Sequence, residues 1–333
     1  MSNNYKYLTI FSTVLALLVV ALGAYTRLSN AGLGCPDWPG CYGFLTVPNT
    51  EGELLQAANA FPNSTVEPLK AWIEMIHRYF ASSLGLLVIA LLFFAFNKVN
   101  LAVPRKLTVS LFVLILFQGF LGMLTVTMNL QPFIVMGHLL GGFCILALLA
   151  LHCFHLLTPK SLAIHKSSTF NGYMSEFSIA ILVLQIALGG WVAANYAAPH
   201  CVGLPICENI HLFSTESLFH LPVGEENYEY GVLPFETRLS IHMVHRGWAV
   251  VTLLVLAVWA WKVYQASEEA LLKNASVMLI VGLITQILLG AIIVQLQFPI
   301  LITLFHNLMA AILLMTSLYI WFLLRYRVQP EVV

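Results

Sequence analysis

Eight apolar runs of about twenty residues dominate this chain, at roughly 8–26, 72–96, 107–128, 132–157, 174–196, 238–262, 274–296 and 299–325. A run of that length crosses the ~30 Å hydrocarbon core of a bilayer as one α-helix. In lipid the backbone must satisfy its own hydrogen bonds, which leaves helices and closed barrels as the spanning structures. Composition points the same way. Of 333 residues, 59% are hydrophobic and 9% are charged, with a mean hydropathy of +0.86. A soluble domain carries about 25% charged residues. The expectation is an all-α integral membrane protein with eight transmembrane helices. Net charge is zero, so no bulk field favours nucleic acid or an acidic substrate.

Seven residues precede the first run, with Lys6 their one charge. Neither a small-residue cleavage site followed by a soluble domain nor an Arg-rich transit segment is visible, so this run is expected to stay as the first helix. Lys6, Lys98, Arg105, Lys106, Lys160, Lys166, Lys262, Lys273, Arg325 and Arg327 fall on one side of the eight-span topology. The long loops 27–71 and 197–237, rich in Glu and poor in Lys and Arg, fall on the other. The positive-inside rule then makes both termini cytoplasmic and sends the long loops to the periplasm, for a multi-pass protein of a bacterial inner membrane. Cys35, Cys41, Cys201 and Cys207 lie in these outer loops, where disulfides persist. Cys144 and Cys153, in the fourth run, read as small buried apolar residues.

The chain repeats itself. "IEMIHRYFAS" (73–82) aligns with "IHMVHRGWAV" (241–250), and 245 − 77 = 168. The same offset joins Arg78 to Arg246, Gln118 to Gln286, Gly122 to Gly290 and His138 to His306. In the loops, "ALG" at 21–23 recurs at 187–189, and Cys35 and Cys41 recur as Cys201 and Cys207, all at offset 166. The chain divides into two four-helix halves, 1–160 and 170–333, joined by the linker "TPKSLAIHKSSTFNG". Each half crosses four times, so the halves are parallel repeats about an axis near the membrane normal.

Each half carries one histidine on its second helix and one on its fourth. His77 sits about five residues into its run and His138 about six, so both lie roughly 8–9 Å below the outer edge. His245 and His306 repeat the pair with the same spacing of 61 residues (138 − 77 and 306 − 245). One membrane histidine is ordinarily a hydrogen-bonded packing residue. Two duplicated pairs at matched depth suit haem iron, which takes axial imidazoles from facing helices. Tetrahedral zinc needs more protein ligands than a pair supplies, and a proton relay does not explain the duplication. Arg78 and Arg246 read either as counter-ions for haem propionates or as snorkelling side chains. Gln118 and Gln286 read as helix-to-helix hydrogen-bond donors. Gly137, Gly141 and Gly142 read as places of close approach. His152 and His155 are expected at the inner interface, His165 in the linker, and His200, His211 and His220 in solvent.

The halves also differ. Glu74 aligns with His242 (242 − 74 = 168), and Glu74 shares a helix face with His77 and Arg78. A carboxylate beside a haem edge can take a proton or stabilise a developing cation; the plainer reading is an ion pair with Arg78. His242 reads as a supporting group or a spare ligand. The first loop, "GAYTRLSNAGLGCPDWPGCYG" (23–43), reads as a tight disulfide loop, structural or redox-active. The second, "CVGLPIC", keeps the spacing without the Asp-Trp-Pro.

The string "TRLSNAGLGCPDWPGC", the "EMIHR" and "HMVHR" pair and the later "GH" and "FHN" histidines together resemble the haem A synthase family of bacteria and mitochondria, over essentially the whole chain. The resemblance implies oxidation of the C8 methyl of haem O to the formyl group of haem A, for use by haem-copper oxidases. It implies that His77 and His138 hold the substrate haem and that His245 and His306 hold a haem b cofactor. Glu74 then matches the carboxylate needed for activity. Cys35 and Cys41 match a pair thought to form a disulfide with a role in electron transfer, and Cys201 and Cys207 a pair found in part of the family. A haem O synthase (farnesyltransferase) and the haem-copper oxidase assembly machinery are the implied partners, with a homo-oligomer also compatible. The alternatives are a di-haem membrane cytochrome b passing electrons from quinol, with no role for Glu74, and a haem transporter or chaperone.

Overall fold

The computed structural model describes residues 3–96, 104–158 and 169–325. Lys98, Lys160, His165, Lys166, Arg327 and most of the linker lie outside the described residues. Nine α-helices occur among the described residues: α1 (Asn3–Leu28), α2 (Glu51–Ala60), α3 (Pro68–Ala95), α4 (Arg105–Thr127), α5 (Pro132–Leu157), α6 (Thr169–Ala194), α7 (Phe235–Ala266), α8 (Ala270–Gln295) and α9 (Ile300–Arg325). All but α2 are long and apolar enough to cross a membrane by length and composition, with mean hydropathy between 1.6 and 2.7.

The eight long helices close into two rings. Helices α1, α3, α4 and α5 pack in cyclic order, and so do α6, α7, α8 and α9. The rings meet where α5 packs on α9, α1 on α9 and α5 on α6. One continuous apolar core joins them, with Leu146, Leu149, Leu256, Trp259, Leu279 and Ile320 fully buried. Outward faces are apolar too: Leu86, Phe93, Met278 and Leu301 are more than 60% exposed, as lipid-facing side chains are. Cys144, expected to be buried, is among the exposed residues of α5, whereas Cys153 is buried within 3.1 Å of the Thr13 hydroxyl. The error has a simple cause: apolar residues face lipid as readily as core.

Six helices begin earlier than their apolar runs, among them α3 and α7, which carry His77 and His245. α3 starts at Pro68 rather than 72, and α7 at Phe235 rather than 238. Proline suits a first-turn position because that N–H has no intrahelical partner, and the added turns are polar, so hydropathy alone does not register them. His77 therefore sits nine residues into its helix (77 − 68) against six for His138 (138 − 132). The α4–α5 and α8–α9 connections carry left-handed residues at Asn129 and Leu130 and again at Gln297 and Phe298, which is the 168-residue offset in the backbone. The helix α2, absent from the sequence reading, is closed by a capping box between Thr50 and Glu53.

Candidate functional site

His77 on α3 and His138 on α5 face each other across the first ring, with ring centroids 6.5 Å apart and planes at 85°. Both rings are partly buried, as are those of His245 and His306. Each ring lies against a glycine of a neighbouring helix. A Cβ added at Gly23 (α1) would sit 2.9 Å from His77 Cε1, and one at Gly122 (α4) 3.1 Å from His138 Cε1. In the second ring a Cβ added at Gly189 (α6) would sit 3.0 Å from His245 Cε1, and one at Gly290 (α8) 3.3 Å from His306 Cε1. All four glycines obey the repeat, since 189 − 23 = 166 and 290 − 122 = 168. They are the functional residues that sequence reasoning missed. The repeated "ALG" and the Gly122/Gly290 match were the available signal, but only the packing shows that a histidine fills each space.

These residues fit haem. Two metal–imidazole bonds of about 2 Å, plus a ring radius on either side, come to roughly 6 Å between centroids, close to the spacing of His77 and His138. The Nδ1 atoms of His77, His138 and His306 are buried without a hydrogen-bond partner. Among the described residues no three His, Cys, Asp or Glu side chains cluster as a metal site would require, so a His pair, rather than a tetrahedral set, is the available ligand group.

Glu74, 4% exposed, stands one turn outward of His77. Its Oε2 accepts the backbone N–H of Cys35 at 2.9 Å and its Oε1 accepts Arg78 Nη2 at 2.5 Å. Gly34 makes this possible, because a Cβ there would lie 2.6 Å from the Lys70 carbonyl carbon. Arg78 also donates through Nη1 to the carbonyls of Asp37 (3.0 Å), Pro39 (3.3 Å) and Gly40 (2.5 Å). The guanidinium thus clamps the first disulfide loop onto α3, a role neither sequence reading anticipated. Within that loop Cys35 and Cys41 are bonded, and the Asp37 carboxylate accepts the N–H groups of Tyr42 and Gly43 at 2.6 and 2.9 Å.

The second ring repeats the clamp with a different acid–base group. Arg246 donates to the carbonyls of Gly203 (2.7 Å) and Cys201 (2.5 Å), beside the Cys201–Cys207 disulfide. Gly203 is the counterpart of Asp37 (203 − 37 = 166). His242, 6% exposed, replaces Glu74: its Nδ1 donates to the Ala198 carbonyl at 2.9 Å and its Nε2 accepts Arg246 Nε at 3.4 Å. Both its ring nitrogens are engaged.

Glutamines separate the rings further. Gln118 Nε2 donates to the His138 backbone carbonyl at 2.6 Å, joining α4 to α5, and its side chain fills the spaces at Gly141 and Gly142. Gln286 Nε2 instead approaches the His306 ring at 3.1 Å, and Gln185 Nε2 lies 3.2 Å from His245 Nδ1. Among the remaining histidines two expectations fail. His152 is fully buried, not interfacial, with Nε2 3.0 Å from the Thr108 hydroxyl, which pairs with Tyr5 at 3.4 Å. His200 is partly buried against Phe235 and Arg238, because the second loop folds over α7. His155, His211 and His220 are exposed.

Residues 6–318 match the family model described as cytochrome oxidase assembly protein. The chain belongs to that family. Among its curated relatives is the heme A synthase of Shewanella oneidensis, 43% identical over 322 residues, covering 94% of this chain and 94% of that protein. The heme A synthase of Wolbachia pipientis wMel is 28% identical, covering 92% of this chain and 89% of its own length. That of Shouchella clausii is 27% identical, covering 84% of each. Family membership thus extends through both rings and both disulfide loops.

Proposed function

We propose that this chain is a haem A synthase that oxidises the C8 methyl of haem O to the formyl group of haem A. The observation that carries the reading is the pair His77 and His138, facing across the first ring at an axial-ligand spacing with Glu74 one turn outward. The shared length and identity with relatives of that name support it. Methyl to formyl, with oxygen from water, removes four electrons and four protons, the electrons leaving to a one-electron oxidant outside this chain. Glu74 is the group of this chain suited to taking a proton or stabilising a cation at the haem edge.

The first half, 1–160, holds the substrate haem on His77 and His138. The second, 170–333, holds haem b on His245 and His306, and haem b supplies one-electron transfer when bound. Arg78 and Arg246 lie one residue beyond a ligand in each half. The halves are parallel repeats about an axis along the membrane normal. The ring interface supports this: exchanging the halves turns the α1–α9 contact into α6–α5 and returns α5–α9 to itself. Arg27 donates to the carbonyl of Ala193, its own repeat mate (193 − 27 = 166), as a residue near such an axis would.

Both termini are cytoplasmic and the disulfide loops periplasmic, in a bacterial inner membrane. Lys6, Arg105, Lys106, Lys262, Lys273 and Arg325 occupy the helix ends opposite those loops. A haem O-producing farnesyltransferase supplies the substrate, and haem-copper oxidase assembly takes the product. The test is to co-express the chain with such a farnesyltransferase and identify the extracted haems by mass. Haem A or its hydroxymethyl precursor is expected. Haem O alone, with two haems bound to the protein, would favour the di-haem cytochrome.

A further inference from the structure

Gln185 is a hydrogen-bonding side chain at a proposed ligand ring that the repeat does not supply twice. It lies on α6 four residues before Gly189, so both share a face of that helix. Gly189 makes room for the His245 ring, and the Gln185 amide covers the ring edge, with Nε2 3.2 Å from Nδ1 and 3.5 Å from Nε2. The corresponding face of α1 keeps the glycine, Gly23 against His77, but carries Val19 where the amide would be (185 − 166 = 19). The seat for the ring is thus duplicated and the hydrogen-bonding side chain beside it is not.

The amide is incompletely satisfied. Gln185 Oε1 is buried without a hydrogen-bond partner. An amide holds a donor and an acceptor nearly equal in shape, so exchanging them costs no space. With Oε1 turned to the ring, it accepts the Nδ1 proton of His245. That fixes the tautomer that leaves Nε2 free to bind metal, and a ligand imidazole whose other nitrogen donates is both oriented and more basic.

We infer that Gln185 is a positioning residue whose side-chain amide makes the second-half site retain its haem, while Val19 brings no side-chain hydrogen bond to the first-half ring, so that substrate and product exchange. The inference rests on the assignment of haem b to His245 and His306. It predicts a difference between the halves in retention and in redox potential.

The experiment compares purified wild type, Gln185→Val, Gln185→Glu and His245→Ala, each co-expressed with the farnesyltransferase. Haem b per protein is measured by extraction and mass, and midpoint potential by optical titration. Gln185→Val, which installs the first-half residue, is expected to weaken haem b retention by about 10–100-fold and to raise the potential of what remains. Gln185→Glu, a stronger acceptor of the same length, is expected to keep the haem and lower its potential. Opposite shifts distinguish tuning of the ligand from a packing defect, which moves both variants alike. Unchanged retention and potential in both variants, with haem b lost from His245→Ala, overturns the role of Gln185 alone. Haem b fully retained by His245→Ala overturns the second-half assignment and this inference with it.

Discussion

The two rings share a scaffold and differ in the groups placed around it. In both, a histidine of the second membrane helix rests on a glycine of the first, and the next arginine holds a six-residue-separation disulfide loop by its carbonyls. In the first ring the group one turn outward is Glu74, an acceptor that takes the Cys35 N–H. In the second it is His242, which donates to a carbonyl instead. The first ring has Val19 where the second has Gln185. Duplicated residues build the shared scaffold; on the proposed function, the unduplicated ones would make one site reactive and the other retentive.

The comparison breaks first at the ligands. His77→Ala and His138→Ala should abolish haem A formation while leaving haem b in place, and His306→Ala should lose haem b; haem extraction from purified protein reads both. If either pair's loss emptied both sites, the halves would not be separate. Next comes Glu74→Gln. General acid–base groups contribute ~10²–10⁴-fold, so haem A output should fall by that order with both haems still bound. A rate equal to wild type would remove Glu74 from the chemistry.

The arginine clamps should differ in energy. Arg78→Met strands the buried Glu74 carboxylate, and breaking a buried ion pair costs roughly 3–5 kcal/mol. Arg246→Met leaves only neutral acceptors, at about 1–3 kcal/mol. Thermal melts in detergent and protease nicking of the loops measure the gap, and equal losses would mean that Glu74 bears no uncompensated charge.

The disulfides should cost alike. Each closes a loop of the same length, worth about 2 kcal/mol by loop entropy. Serine replacement of Cys35 and Cys41 that removes activity beyond its stability loss, when Cys201 and Cys207 do not, would assign the first pair a redox role. The smallest effect belongs to His200. Burial first, and Arg238 second, hold its pKa below the ordinary 6.5. A depressed histidine contributes stability above its unfolded pKa, lost as pH falls below about 6.5. His200→Gln should flatten that slope of the melting temperature, and an unchanged slope would place the titration elsewhere.

Much of this was legible in one dimension. Apolar runs of membrane length count helices because lipid allows a segment few other structures. The offset of 168 finds the histidines because a sequence that repeats itself keeps its spacing. Where expectation failed, hydropathy was silent. Cys144 faces outward because apolar side chains are at home in lipid as well as in a core. His152 is buried because a hydroxyl at Thr108, far away in sequence, meets its ring. The polar first turns of α3 and α7 carry no apolar signal although prolines mark their starts.

The sequence by itself determined the eight spans, the two halves, the four histidines and the singularity of Glu74, since each is a matter of composition or spacing. Only the tertiary structure decided what those residues touch. It made Arg78, read as a counter-ion, a snorkelling side chain or the partner of Glu74, a loop clamp as well, set a glycine against each of the four histidine rings and put Gln185 beside His245. Those are contacts between helices, where distance in space is unrelated to distance along the chain, and no periodicity encodes them.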